Sequence, residues 1–245
     1  MTIDKDCALS VAERIGRIRE SVSRACLKAG RRPDSVTLIG VTKTRTPEEI
    51  KPAIEAGLDD LGENYLQEAR EKVRKLPGVR WHLIGNLQNN KANQAAELFE
   101  VIHSLDSVRL IKHLDRHCRE RGCTVSGLIQ VRLGGEDTKS GIEPECLIPM
   151  LDELSLEPPE ALCLTGLMTI PPPVDDPEKS RPHFRRLREL LDEVLKRRYP
   201  FWHGAELSMG MTDDYLVAVE EGATFIRVGR AIFGERQYKQ YKIQH

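Results

Sequence analysis

The sequence lacks a long apolar segment and carries almost no net charge. No apolar run in its 245 residues is long enough to span a bilayer, and the first residues lack the apolar stretch of a signal peptide. The 37 Lys and Arg residues nearly balance the 38 Asp and Glu residues, so no basic field exists that would hold a polyanion. We therefore expect neither a membrane anchor nor a nucleic-acid partner.

The cysteines show neither a disulfide framework nor a metal-binding spacing. They are scattered over the chain as Cys7, Cys26, Cys118, Cys123, Cys146 and Cys163. Because no signal peptide is evident, we interpret them as reduced thiols and expect a cytoplasmic protein. His113 and His117 would share one helix face, but no third and fourth ligand follow at a suitable spacing, so we predict no metal site.

The sequence also lacks the Gly-x-Gly-x-x-Gly turn that follows the first strand in dinucleotide-binding, doubly wound folds. Strand and helix patterns instead alternate repeatedly along the chain. Apolar or β-branched runs predict eight strands, at residues 36–41, 58–62, 80–84, 100–104, 127–132, 162–168, 206–209 and 224–228. Helical patterns fill the intervals at residues 47–56, 65–75, 91–98, 107–121, 144–154, 182–198 and 212–221. A capping box at Ser10 and Glu13 begins one more helix before the first strand.

This alternation predicts the fold class. Alternating strands and helices imply a parallel sheet, and eight strands in one domain predict an α/β fold, the closed (β/α)8 TIM barrel. We expect a single domain over residues 1–245, in which residues 1–34 form an N-terminal helical extension. An open, doubly wound sheet is the alternative, although such sheets usually have fewer strands.

A lysine at the end of the first predicted strand is the first candidate for chemistry. Lys43 follows a run without alternation, typical of a strand buried on both faces, and it precedes a helix that begins near Pro47. Burial lowers the pKa of a lysine, and a neutral amine is a nucleophile whose natural partner is an aldehyde, joined as a Schiff base. The alternative is a side chain that simply extends to solvent.

The loops after the last two strands carry a second signal. Ser208-Met209-Gly210-Met211 and Gly229-Arg230 each precede a helical pattern, and backbone N–H groups at helix N-termini bind phosphate. The loops after strands seven and eight are the recurrent phosphate site of this fold, although both glycines also suit ordinary turns. A lysine and a phosphate site in one barrel mouth indicate a phosphorylated aldehyde. Pyridoxal 5'-phosphate (PLP) is the commonest such cofactor, and a phosphosugar aldolase is the competing chemistry.

Taken together, these motifs resemble those of the pyridoxal phosphate homeostasis proteins, the YggS/PROSC-type family, which is similar to the N-terminal domain of alanine racemase. The resemblance spans nearly the whole chain. Its motifs are Val41-Thr42-Lys43-Thr44, Gly62-Glu63-Asn64, Trp81-His82-Leu83-Ile84-Gly85 with Leu87-Gln88-x-Asn90-Lys91, Lys139-Ser140-Gly141, Gly166-Leu167-Met168, Leu207-Ser208-Met209-Gly210-Met211-Thr212-Asp213-Asp214, and Arg227-Val228-Gly229 with Ala231-Ile232-Phe233-Gly234.

The resemblance implies a set of cofactor-binding residues. Lys43 would hold PLP as a Schiff base, Asn64 would lie beside the cofactor, and Arg227 would face the pyridine nitrogen. The residues that the resemblance places around the phosphate, partly through backbone N–H groups, are Ser208, Gly210, Met211 and Gly229. Arg230 departs from the family pattern, since many relatives have Ser or Thr there, so a guanidinium stands where a hydroxyl would bind phosphate.

The resemblance also implies a carrier rather than an enzyme. An aspartate on the pyridine nitrogen would make the ring an electron sink, whereas the cationic Arg227 disfavours protonation of that nitrogen. Alanine racemase adds a tyrosine as a second base, and none of the five tyrosines here follows an obvious strand. We predict a non-catalytic monomer that buffers and delivers PLP in intracellular vitamin B6 homeostasis, with PLP-dependent apoenzymes as partners. The alternative is a weak PLP-dependent amino-acid racemase.

Overall fold

Eight parallel strands close on themselves, so that the eighth pairs with the first, in a computed structural model that describes residues 9–134 and 140–235. Each strand also pairs with the next one along the chain. The strands are β1 (Thr37–Val41), β2 (Asp60–Glu63), β3 (Arg80–Leu83), β4 (Val101–Leu105), β5 (Val125–Gln130), β6 (Leu162–Met168), β7 (Trp202–Ser208) and β8 (Phe225–Val228). The predicted (β/α)8 barrel is confirmed, and the carboxyl ends of its strands meet at one mouth.

Helices form the outer layer of the barrel. Those described are α1 (Val11–Lys28), α2 (Pro47–Glu55), α3 (Leu66–Lys75), α4 (Ala92–Leu98), α5 (Val108–Arg121), α6 (Leu147–Leu154), α7 (Arg181–Arg197), α8 (Tyr215–Glu220) and α9 (Arg230–Phe233). The capping box predicted for α1 is present, since Ser10 and Glu13 each accept the other's backbone N–H. Over residues 9–134 and 140–235, none of the helices combines the length and the apolar character that crossing a membrane requires.

Two apolar layers hold the barrel together. The larger one lies between the strands and the surrounding helices, where Trp81, Leu164 and Phe184 are buried. The smaller one consists of Ile39, Val101, Leu128, Met168 and Phe225, with Ile170 packed against it. Burying one large apolar side chain contributes ~1.5–3 kcal/mol, so the outer layer, with many more members, supplies most of the apolar stabilisation.

Polar side chains share the barrel interior with the smaller apolar cluster. His82, His103, Ser208 and Arg227 are all buried. The Phe225 ring meets both imidazole rings nearly edge-on, with centroid distances of 5.7 Å to His82 and 5.5 Å to His103. The interior of the barrel is therefore a mixed layer in which polar groups must find their partners within the protein.

Closure of the barrel brings two predicted site segments together. β1 and β8 pair with Ile39 beside Arg227, so these two residues share one face of the sheet. Further along the same pair of strands, a Cβ added to Gly229 would lie 3.3 Å from the Val41 carbonyl oxygen. Gly229 therefore lies against the strand end that leads into Lys43.

The structure departs from the sequence-based boundaries at the amino ends of β7 and α8, among other places. β7 begins at Trp202, four residues before the predicted start, because its amino end pairs with β6 without an apolar pattern of its own. α8 begins at Tyr215 rather than at residue 212, because Asp214 folds back to accept the N–H of Met211. One residue of the quoted motifs, Lys139, lies outside the described residues.

Candidate functional site

A cavity of 420 Å³ opens at the carboxyl ends of the strands. This volume lies within the range typical of small-molecule sites. Most of the predicted cofactor-binding residues line it, namely Lys43, Asn64, Met211, Arg227, Gly229 and Arg230. The structure therefore brings these residues, which are spread over the sequence, to one place.

The turn that carries Lys43 is held from outside by α3. Thr44 has a φ of 67°, a left-handed conformation that is unfavourable for a β-branched residue. Its backbone N–H donates to Glu68 Oε2 at 2.8 Å, and Lys72 Nζ donates to the Thr42 carbonyl oxygen at 2.7 Å. Glu68 and Lys72 lie one helical turn apart, so together they fix the backbone on both sides of Lys43.

A buried ion pair lies under the same turn. Lys72 Nζ is 2.6 Å from Glu63 Oε1, and both side chains are almost inaccessible to solvent. Thr42 Oγ1 donates to the same carboxylate oxygen at 2.5 Å. Burial raises the pKa of Glu63, against the opposing effect of the Lys72 ammonium. The ion pair therefore connects the end of β1, the end of β2 and α3 directly beneath Lys43.

Replacing Lys72 with methionine is expected to destabilise the fold. The substitution keeps a long apolar side chain but leaves Glu63 buried without its cation, and breaking a buried pair in this way costs ~3–5 kcal/mol. A carboxyl group whose pKa is raised on folding destabilises the protein only while it is ionised. The deficit should therefore be full at neutral pH and shrink as the pH falls through the folded-state pKa of Glu63. Urea unfolding at two pH values measures both effects.

Lys75→Met is the matched control for this prediction. Lys75 lies on the same helix and pairs with Glu71 at 2.7 Å, but both side chains are more than half exposed. Such surface pairs contribute little to stability, so this variant should unfold close to the wild type at both pH values. An equal effect of the two substitutions would contradict the structural role of the buried pair.

Arg227 places a cation at the floor of the cavity. Its guanidinium donates from Nη1 to Ser208 Oγ at 2.6 Å and from Nη2 to the Thr169 carbonyl oxygen at 2.9 Å. Burial lowers the pKa of Arg227 to about 10, although Asp214 opposes the shift. The group therefore stays charged at neutral pH, with two of its nitrogens directed at neutral oxygens.

Two of the predicted residues act from beneath the cavity wall. Ser208 is fully buried, and its hydroxyl contacts Arg227 and His103. Gly210 has a φ of 90°, and an added Cβ would lie 2.5 Å from the Ala218 Cβ. Gly210 therefore lets α8 approach closely, and its carbonyl oxygen accepts the Arg227 backbone N–H at 3.0 Å.

The loops after β7 and β8 face each other across the cavity. Arg230, about half exposed, forms an ion pair with Asp213 of the opposite loop. The Met211 N–H, which the resemblance counts among the phosphate donors, donates to Asp214 Oδ1 at 2.7 Å. Within this pair of loops, the Met211 N–H and the Arg230 guanidinium are therefore both engaged by aspartates.

Thr212 and Arg45, which no sequence pattern singled out as site residues, line the same cavity. Thr212 presents a hydroxyl beside Met211, and its position within the quoted loop motif was the signal that could have found it. Arg45 offered no such signal, because it reaches the site only through the turn after Lys43. Its Nη2 donates to the Gly234 carbonyl oxygen at 2.5 Å, which ties this turn to the end of α9.

The fold and the site together define a class, that of the alanine racemase N-terminal domain. The sequence profile of that domain matches residues 15–237. Alanine racemase from Clostridium difficile shares the barrel with a TM-score of 0.67 over 91% of this chain and 56% of its own chain. At 13% identity this likeness concerns the fold alone.

Closer relatives identify the family within this class. A pyridoxal phosphate homeostasis protein from Aquifex aeolicus is 43% identical over 94% of this chain and 100% of its own length. PipY from Synechococcus elongatus, whose structure was solved with PLP bound, is 37% identical with a TM-score of 0.78, over 92% of this chain and 100% of its own. The chain belongs to the family of pyridoxal phosphate homeostasis proteins, and the resemblance seen in the sequence is confirmed.

Proposed function

We propose that this protein binds PLP as a Schiff base on Lys43 and serves as a carrier and buffer in intracellular PLP homeostasis. The observation that carries the proposal is the position of Lys43 and Arg227 in one 420 Å³ cavity at the barrel mouth. The naming of relatives for PLP homeostasis and the PLP-bound structure of PipY support it.

The residues present fit the three chemical parts of PLP. Lys43 offers a primary amine for the aldehyde, and Asn64 on the neighbouring strand end offers an amide for a ring substituent. Thr212 and Arg230 offer a hydroxyl and a cation for the phosphate, and Gly229 lines the same cavity. Ser208 and Gly210 contribute by holding Arg227 and the loop from beneath. When bound, the cofactor supplies an electrophilic carbon and an electron-withdrawing ring.

Two features of the site favour binding over turnover. Arg227 is a cation at neutral pH and donates hydrogen bonds without transferring its proton. Such a group disfavours a proton on the ring nitrogen that it would face. Of the tyrosines within the described residues, Tyr65 is exposed, Tyr199 donates to Asp152, and Tyr215 lies on α8 behind Gly210. None of these three lines the cavity, so none is placed to act as a second base on a substrate.

Borohydride trapping tests the covalent part of the proposal. Reduction with sodium borohydride converts a Schiff base into a stable amine, which keeps the pyridoxyl group on its lysine. Mass spectrometry of peptides from the PLP-loaded wild type should find this group on the Lys43 peptide at about one equivalent. Modification spread over surface lysines, with Lys43 unmodified, would contradict the assignment.

A transfer assay tests the carrier part. The loaded protein should reactivate a PLP-dependent apoenzyme at a rate that depends on the carrier concentration. Incubation with L-alanine in deuterated water should leave the α-proton signal intact over the same period. Loss of that signal at turnover rates would favour a racemase over a carrier.

A further inference from the structure

A continuous chain of hydrogen bonds crosses the barrel interior behind the cavity. Asp60 Oδ1 contacts His82 Nε2 at 2.8 Å, and His82 Nδ1 contacts His103 Nε2 at 2.9 Å. His103 Nδ1 contacts Ser208 Oγ at 2.8 Å, and Ser208 Oγ accepts from Arg227 at 2.6 Å. The chain starts beside a cleft lined by Asp60 at the amino ends of the strands and ends in the cavity at the opposite mouth.

The carboxylate at one end sets the direction of every hydrogen bond that follows it. An ionised carboxylate only accepts, so His82 Nε2 carries a proton, and the neutral ring then accepts at Nδ1. His103 must therefore donate from Nε2, which leaves its Nδ1 as an acceptor. The only remaining donor is the Ser208 hydroxyl. Arg227, which only donates, is compatible with this arrangement, because the Ser208 oxygen accepts from it while the Ser208 proton goes to His103.

The surroundings favour neutral histidines in this arrangement. Burial lowers the pKa of His82, although Asp60 opposes the shift, and burial drives the pKa of His103 well below its usual value. For Asp60, the hydrogen bonds from His82 and Arg80 outweigh burial, which acts in the opposite direction, and hold its pKa below the usual value. The other charged groups acting on the two imidazoles are Arg80, Glu100 and Arg227.

We propose that Asp60, His82, His103 and Ser208 are positioning residues that hold the Arg227 guanidinium charged and oriented at the cavity floor. The Ser208 proton is committed to His103, so the Ser208 oxygen presents lone pairs to Arg227 and has no proton for a phosphate. The carboxylate of Asp60, which also pairs with Arg80, fixes the direction of the hydrogen bonds, so that the Ser208 oxygen is left to accept from the buried Arg227. The role of this orientation, to face a pyridine ring, rests on the proposed function. The direction of the hydrogen-bond chain does not depend on the proposed function.

The direction of the chain is measurable without any cofactor. In ¹⁵N-labelled apoprotein, two-dimensional ¹H–¹⁵N correlation spectra of the imidazole rings distinguish the two neutral tautomers and the charged form. His82 and His103 should both be neutral with the proton on Nε2, from about pH 8 down to about pH 5.5, below the usual histidine pKa. A proton on Nδ1 of either ring, or titration of either ring near its usual pKa, would overturn the proposal.

Ser208→Ala tests the effect on the ligand. Removing the acceptor of a buried cation should weaken PLP binding by about 10-fold to 100-fold and shift the pH dependence of the absorbance of the bound form. Ser208→Thr, which keeps the hydroxyl, should restore both. Ser180→Ala is the matched control, because the Ser180 hydroxyl is buried without a hydrogen-bond partner and is not part of the hydrogen-bond chain from Asp60 to Arg227.

The outcomes separate the two proposals. If both imidazoles of the wild type carry the proton on Nε2 but the protein does not bind PLP, the direction of the hydrogen-bond chain stands and the proposed function is refuted. PLP binding that is unchanged in Ser208→Ala would refute the positioning role. The tautomer measurement uses the wild-type protein, so it stands even where a variant does not fold.

Discussion

Lys43→Ala is expected to abolish the near-visible imine absorbance of the PLP-loaded protein and to weaken retention of PLP by on the order of 100-fold, about 2.7 kcal/mol. In the proposed binding mode, the covalent bond to the amine is lost, whereas the proposed contacts from Arg227 and from the loops after β7 and β8 remain. Absorbance spectra and equilibrium dialysis measure the two effects, and circular dichroism checks that the barrel has formed.

Two further variants separate the imine from charge and from non-specific chemistry. Lys43→Arg keeps the cation but has no nucleophilic amine, because a guanidinium is not deprotonated in proteins, so it should lack the band as completely as Lys43→Ala. Lys51→Ala removes an exposed lysine from α2 and should keep both the band and the affinity. A full band in Lys43→Arg would show that another lysine carries the cofactor.

The barrel was predictable because its signals are local. Unbroken apolar runs such as residues 36–41 mark strands buried on both faces, and the capping box at Ser10 marks where α1 begins. The start of β7 was not predictable in this way. Residues 202–205 alternate between half-buried and exposed and include Gly204, so their strand conformation depends on pairing with β6, which the local sequence does not encode.

Part of the cavity lining was predictable from the sequence, but the direction in which buried side chains point was not. Lys43, Asn64 and Arg230 line the cavity because each follows a strand end, and the fold brings strand ends together. Ser208 also comes at a strand end, yet its hydroxyl is directed inward to His103, which only the packed structure shows. Glu68 and Lys72 were not singled out, because an i, i+4 pair of opposite charge is typical of a solvated helix face.

The position of Asn64 depends on Gly85, a motif residue whose structural role is not evident from the sequence. A Cβ added to Gly85 would lie 2.3 Å from the Asn64 carbonyl oxygen and 2.7 Å from its Cα. Just before these residues, the Ile84 N–H donates to the Glu63 carbonyl oxygen at 2.9 Å, so β2 and β3 are held together where they leave the sheet. The backbone of Asn64 therefore has little room to retreat, and Gly85 sets the distance between the two strand ends.

Gly85→Ala is accordingly expected to damage both stability and binding. Overpacking costs ~1–3 kcal/mol, and the upper part of this range applies because the collision is with backbone rather than with a flexible side chain. Since Asn64 must move, retention of PLP should fall about tenfold, or ~1.4 kcal/mol, even in the folded fraction. Urea unfolding and equilibrium dialysis on the same preparation measure the two effects.

Gly16→Ala is the matched control for this collision. Gly16 is exposed on α1, and nothing lies within 4 Å of the added Cβ, so the same chemical change should stabilise the helix by ~0.5–1 kcal/mol and leave binding unchanged. Opposite signs in the two variants would show that the contact with Asn64, rather than the methyl group itself, causes the loss. If the stability and the PLP affinity of Gly85→Ala instead equalled those of the wild type, the ends of β2 and β3 would be free to separate. The packing of Asn64 against Gly85 would then not be what holds that wall of the cavity.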